Sequence, residues 1–99
     1  MIIEEGKVYT FKLNSGEELI STVKSHSPAF ITLESPCSTA PTQQGIQLVP
    51  AMFTTEFNSE VDLYRNSVAM ISTPREEVAN AYRESVTGIK VPDKQILMA

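Results

Sequence analysis

Few side chains in this sequence have the chemistry for catalysis or metal binding. A thiolate–imidazole pair needs a third group to orient the imidazole. Cys37 lies in Ser35-Pro36-Cys37-Ser38-Thr39-Ala40-Pro41, a proline-rich stretch that supplies no such group to His26. A catalytic dyad is therefore not expected. One histidine and one cysteine also fall short of a Cys/His metal cluster. Glu4-Glu5, Glu17-Glu18 and Glu76-Glu77 are adjacent acids, which read as solvated faces and helix-dipole partners rather than acid–base pairs. The four glycines are isolated, so no phosphate-cradling loop is present. Met52, Met70 and Met98 read as gap fillers. The expectation is a protein that is not an enzyme and takes no cofactor.

Composition narrows the remaining classes. Ninety-nine residues make one domain over 1–99, and 41% hydrophobic against 20% charged residues allow it a core. No apolar run exceeds six residues (Leu48 to Phe53), so no membrane span is expected. Met1-Ile2-Ile3-Glu4-Glu5 is too acidic and too short in apolar residues for a signal peptide. A single cysteine fits a reducing compartment, and a cytoplasmic location is expected. A net charge of −4 gives no global field that attracts nucleic acid.

Periodicity supplies the elements. In Val8-Tyr9-Thr10-Phe11-Lys12-Leu13, Tyr9, Phe11 and Leu13 share one face, as a half-buried strand requires. Asn14-Ser15-Gly16 makes a tight turn, with Gly16 free to take positive φ. The return strand, Glu17 to Ser27, sets Leu19, Ser21 and Val23 against Ile20, Thr22 and Lys24. Ser21 reads more simply as a surface serine, or else as a small side chain packed closely in a bent strand. Ser27-Pro28 interrupts the pattern, and Phe30 to Glu34 resumes it with Ile31 and Leu33 inward. Ser35 to Gly45 has two prolines and no period, so it is expected to be a loop. Ile46 to Phe53 is a strand that Pro50 demotes to an edge or bulge, and Thr54 to Glu60 turns.

Val61–Tyr64 and Val68–Ile71 are further strands flanking Arg65-Asn66-Ser67, a tight turn or kink. A helix over about 74–87 follows, with Thr73 as N-cap, Pro74 as first residue and Glu76 as capping-box partner. Val78, Tyr82, Ser85 and Val86 form its apolar stripe, while Arg75, Glu76, Asn80 and Arg83 face water. Gly88 closes it, and the tail 89–99 has Pro92 and mixed polarity, so its last residues are expected to fray. The fold class is mainly β: a small, strongly bent five-stranded barrel over about 7–72 with one C-terminal helix.

Two stretches resemble the Sm-like family. Phe11-Lys12-Leu13-Asn14-Ser15-Gly16-Glu17-Glu18-Leu19-Ile20-Ser21-Thr22-Val23 is similar to the first Sm motif, and Phe30-Ile31-Thr32-Leu33-Glu34-Ser35-Pro36 to the strand after it. Leu63-Tyr64-Arg65-Asn66-Ser67-Val68-Ala69-Met70-Ile71 is similar to the second motif, with its strand–turn–strand order. Serine stands at 21 and asparagine at 66, where the family usually has glycine. The helix follows the barrel rather than preceding it. Within the family, the small Sm-like proteins of marine bacteriophages are the nearer likeness, which would place the chain in the cytoplasm of a host cell.

The resemblance implies an Sm-like (SH3-like) barrel and a homo-oligomeric ring of about five to seven subunits. In such a ring the strand before the second motif's turn pairs with the strand after it on the next subunit. It also implies single-stranded RNA at the pore, with His26 or Phe30 stacking a base, Arg65 holding a phosphate or base edge, and Asn66 hydrogen-bonding a base. The plainer alternative makes Arg65 a solvated turn residue or the partner of Asp62 or Glu60, and His26 an exposed strand end. The alternative function is a structural ring or adaptor with no nucleic-acid contact. No membrane partner is expected.

Overall fold

The alternation of Tyr9 and Phe11 becomes the first strand of an antiparallel sheet in the computed structural model, which describes residues 1–87 and 95–97. The strands are β1 (Val8–Leu13), β2 (Glu18–His26), β3 (Phe30–Thr42), β4 (Gly45–Pro50), β5 (Glu60–Tyr64), β6 (Val68–Ser72) and β7 (Gln95–Leu97), with one helix, α1 (Glu76–Thr87). The path runs β6-β1-β2-β3-β4-β7, and β5 also pairs with β3. β1 and β2 turn at Gly16, whose φ of 95° is cheap only without a Cβ. Its N–H reaches the Leu13 carbonyl at 2.9 Å.

The expected barrel is not closed. No ladder joins β5 to β6 among the described residues. Each step along β6-β1-β2-β3-β5 is antiparallel, so β5 and β6 point the same way. Only Arg65–Ser67, a single 3-10 turn, connects them. Parallel neighbours need a crossover of roughly a dozen residues, so this connection cannot bring the two strands side by side.

The expected loop from Ser35 to Gly45 is mostly strand. β3 continues to Thr42 and pairs its second half with β4, while its first half pairs with β5. Proline breaks a ladder only where a donor is required. Ser35 and Pro36 fall in an irregularity of the β2–β3 register, where Ser35 has φ 55°, and Pro41 lies beyond the end of β2 at Thr39. β3 therefore bends without ending.

The bend gives the sheet two buried faces. Tyr9, Phe11, Leu19, Val23, Ile31 and Leu33 pack with Ile3 on the concave side. Ile20, Cys37 and Leu48 pack on the other side beneath Val78, Ala81 and Tyr82 of α1. Ile20, which period two assigns to the face opposite Leu19, is thus buried by the helix. Ser21 is wholly buried rather than a surface serine, and its hydroxyl donates to the Glu34 carbonyl at 3.0 Å. Arg75, Glu76, Asn80 and Arg83 do face water.

The helix begins later than expected. The Arg75 carbonyl accepts the first helical bond, from the Ala79 N–H at 2.9 Å, so Arg75 occupies the N-cap position. Thr73 and Pro74 precede it and do not cap. Within the tail, Gln95–Leu97 pairs antiparallel with β4, and the last residues, expected to fray, lie outside the described residues. Gly88, Pro92 and Met98 lie outside the described residues.

Candidate nucleic-acid interface

Three of the four expected residues meet where β2 turns into β3. The turn is closed by the Ser27 N–H on the Phe30 carbonyl at 2.8 Å and the Phe30 N–H on the Ser27 hydroxyl at 3.1 Å. Arg65 reaches across to it from the end of β5. Its main-chain N–H donates to the Ala29 carbonyl at 2.9 Å, and its Nε to the Ser27 carbonyl at 2.5 Å. Its Nη2 lies 3.0 Å from His26 Nδ1. A guanidinium only donates, so Nδ1 accepts and the neutral His26 ring carries its proton on Nε2. Two of the five guanidinium donors are engaged by the described residues.

Phe30 pairs in register with Tyr64, and the two rings sit 4.8 Å apart between centroids at 42°. Tyr64 is 59% exposed, so the pair is a platform open to water. Tyr64 is the residue that motif matching missed. Period two on Glu60–Tyr64 would have placed it on the outer face with Asp62 and Glu60. Asn66 belongs to a different anchorage. Its carbonyl accepts from Asn14 Nδ2 at 2.7 Å, and the Asn14 N–H donates to the Ser67 carbonyl at 2.8 Å. The Arg65 turn is thereby tied to the β1–β2 turn.

The acids near Arg65 are engaged elsewhere. Glu60 pairs with Lys24, and the hydrogen bond and charge of Glu60 hold the Lys24 ammonium above its ordinary range. Asp62 accepts from the Thr32 hydroxyl at 2.8 Å. A salt bridge from Arg65 to either carboxylate is therefore not what holds the turn. Beside Arg65 a groove of about 320 Å³ follows β6, lined by Met1, Val68, Met70 and Ile71.

Neither the family models nor the curated proteins compared with the chain give a match.

The geometry also separates Cys37 from His26. Cys37 is fully buried under α1, where burial pushes its thiol up to about 12, which makes it a poor nucleophile. His26 is exposed and bonded to Arg65. No group of three His, Cys, Asp or Glu residues arranged for a metal ion occurs among the described residues. No described helix is long and apolar enough to cross a membrane.

Proposed function

We propose that the chain is an Sm-like ring subunit that binds single-stranded RNA along the rim formed by His26, Phe30, Tyr64 and Arg65. The observation that carries the reading is that β5 and β6, joined by one short turn, each leave one edge uncovered among the described residues. Among the described residues β5 pairs only with β3 and β6 only with β1, whereas the outer edge of β4 is covered by β7. Met70 on β6 is 67% exposed. Uncovered apolar edges seek a partner strand. The edges of β5 and β6 are different surfaces, so pairing one with the other head to tail is heterologous, and it closes a ring where the rotation per subunit completes a full turn. The ring then gathers one Arg65 per subunit, concentrating positive charge although each subunit carries −4. A stacking platform beside a cation is what base-tolerant single-strand binding uses.

A second reading, a scaffold ring without RNA, draws on the outer face of β3 and β5. There Glu34, Glu60 and Asp62 stand against Lys24 next to the aromatic pair, a surface that repels phosphate. One experiment separates the two. Fluorescence anisotropy with short uridine- or adenosine-rich RNA should show binding at low salt that weakens steeply as salt rises. Arg65→Ala should weaken it and flatten the salt dependence. His26→Ala should cost less and leave the salt slope unchanged, because stacking is lost rather than charge. Absence of wild-type binding at low salt would hand the function to the scaffold reading.

A further inference from the structure

Phe53 is 80% exposed and Met52 43% exposed, both in the loop 51–59 that leads into β5. On the β1–β6 side of the molecule lies an open groove of about 530 Å³ between the start of β1 and α1. Val8, Pro74 and Ala79 give it an apolar lining, and Lys7, Asn80 and Arg83 edge it. Gly6 also lines it, with open space on the side where a Cβ would stand. Loop and groove sit at opposite ends of the path β6-β1-β2-β3-β5. A head-to-tail contact between copies, the sense of the proposed ring, would join two such different surfaces.

Strand register links them. When β5 of one copy lies antiparallel to β6 of the next, the residues before Glu60 run alongside the residues after Ser72. Those are Thr73 and Pro74, which line the groove. The charges are complementary at one pair: the loop 51–59 carries Glu56 and no base, and the groove offers Arg83, whereas Lys7 there is paired with Glu4 at 3.4 Å. We propose that the Phe53 loop of each subunit docks into the β1–α1 groove of its neighbour, a second copy of this chain. The inference rests on the ring reading and adds a clamp to it: strand pairing sets the direction, and the aromatic anchor with its acid sets which edges fit.

The test is solution mass by light scattering over a dilution series for the wild type, Phe53→Asp, Arg83→Glu, Glu56→Arg and the Glu56→Arg/Arg83→Glu double variant. Phe53, Glu56 and Arg83 are all exposed, so far-UV circular dichroism should be unchanged in each variant. Phe53→Asp should raise the concentration at which the assembly dissociates by about tenfold or more. Each charge reversal should weaken assembly, and the double variant should recover it. An assembled wild type whose dissociation is unmoved by Phe53→Asp overturns the clamp and leaves the ring standing. A wild type that is monomeric at tens of micromolar overturns the ring and the clamp together.

Discussion

β2 and β3 carry two polar clusters, one at their shared bulge and one at their shared turn, and the two meet water in opposite ways. At the bulge, the Tyr82 hydroxyl from α1 accepts from the Thr22 N–H at 2.9 Å and lies 2.9 and 3.0 Å from the Glu34 and Ser35 carbonyls. The Ser21 hydroxyl shares the Glu34 carbonyl, and all of this lies beneath the helix. At the turn, Arg65 bonds Ser27 and His26 in the open, beside an exposed aromatic pair. A buried group that loses its partner bears the full desolvation cost, whereas an exposed one turns to water. The bulge cluster therefore holds the fold, and the turn cluster can exchange its partners with water at little cost.

The largest expected effect follows directly. Tyr82→Phe keeps the ring packed but orphans the Thr22 N–H and removes one donor from the Glu34 and Ser35 carbonyls, which keep Ser21 and Cys37, and this should cost about 2 kcal/mol in chemical denaturation. Tyr64→Phe, on the exposed platform, should change stability by no more than about 0.5 kcal/mol. Equal losses would break the contrast. Because assembly adds to apparent stability, both are to be measured at one protein concentration.

Alkaline pH probes the same buried cluster. Burial raises the Cys37 thiol from an ordinary value near 9 to about 12, and also raises the Tyr82 hydroxyl. The unfolded chain then releases these protons first, so it binds fewer than the folded chain as pH climbs. Stability should be intact below pH 9 and fall between 9 and 12. Cys37→Ala should make that fall shallower in denaturant midpoints taken across this range, and an unchanged slope would show that Cys37 does not contribute to it.

Sequence periodicity reads well where one face of an element is wet and the other is not. Tyr9 and Phe11, or Val78 and Tyr82 against Asn80 and Arg83, are visible as patterns because burial there is one-sided. It fails around the bulge for a physical reason. β2 is buried on both faces, so Ile20 and Ser21 give no alternation, and β3 passes through Ser35-Pro36 by using an irregularity rather than a ladder bond. The site was legible only in part for a related reason. Arg65, His26 and Phe30 could be placed by motif, but the Tyr64 partner of Phe30 needs the β3–β5 register, which no local pattern carries. The anchorage of Asn66 to Asn14 is a long-range bond of the same kind.

At the exposed turn the expected losses of stability are smaller than at the bulge. Arg65→Lys keeps the charge but loses the Nε bond to the Ser27 carbonyl, and should cost about 0.5–1 kcal/mol. On the proposed RNA reading, the salt slope of binding should survive that change, because it counts charges rather than geometry. A slope that collapsed along with the hydrogen bond would show that Arg65 acts by shaping the turn and not by contacting phosphate.

The smallest effect is expected at Thr73, and it asks what holds α1 in place. A capping threonine is worth about 1 kcal/mol, and Thr73-Pro74-Arg75-Glu76 has the sequence of a capping box. The first helical bond instead ends on the Arg75 carbonyl, which puts Thr73 two residues ahead of the cap, and Thr73 is exposed. Thr73→Ala should therefore shift the denaturation midpoint by less than about 0.5 kcal/mol. Arg75→Ser places a hydroxyl at the true N-cap but removes the Arg75 ion pair with Glu77, so its net change should stay within about 0.5 kcal/mol. Helix content by circular dichroism should not fall in either variant, because α1 is fastened by Val78, Ala81 and Tyr82 rather than by its end. A loss near 1 kcal/mol for Thr73→Ala would mean that the cap, and not the buried tyrosine alone, fixes the helix on the sheet.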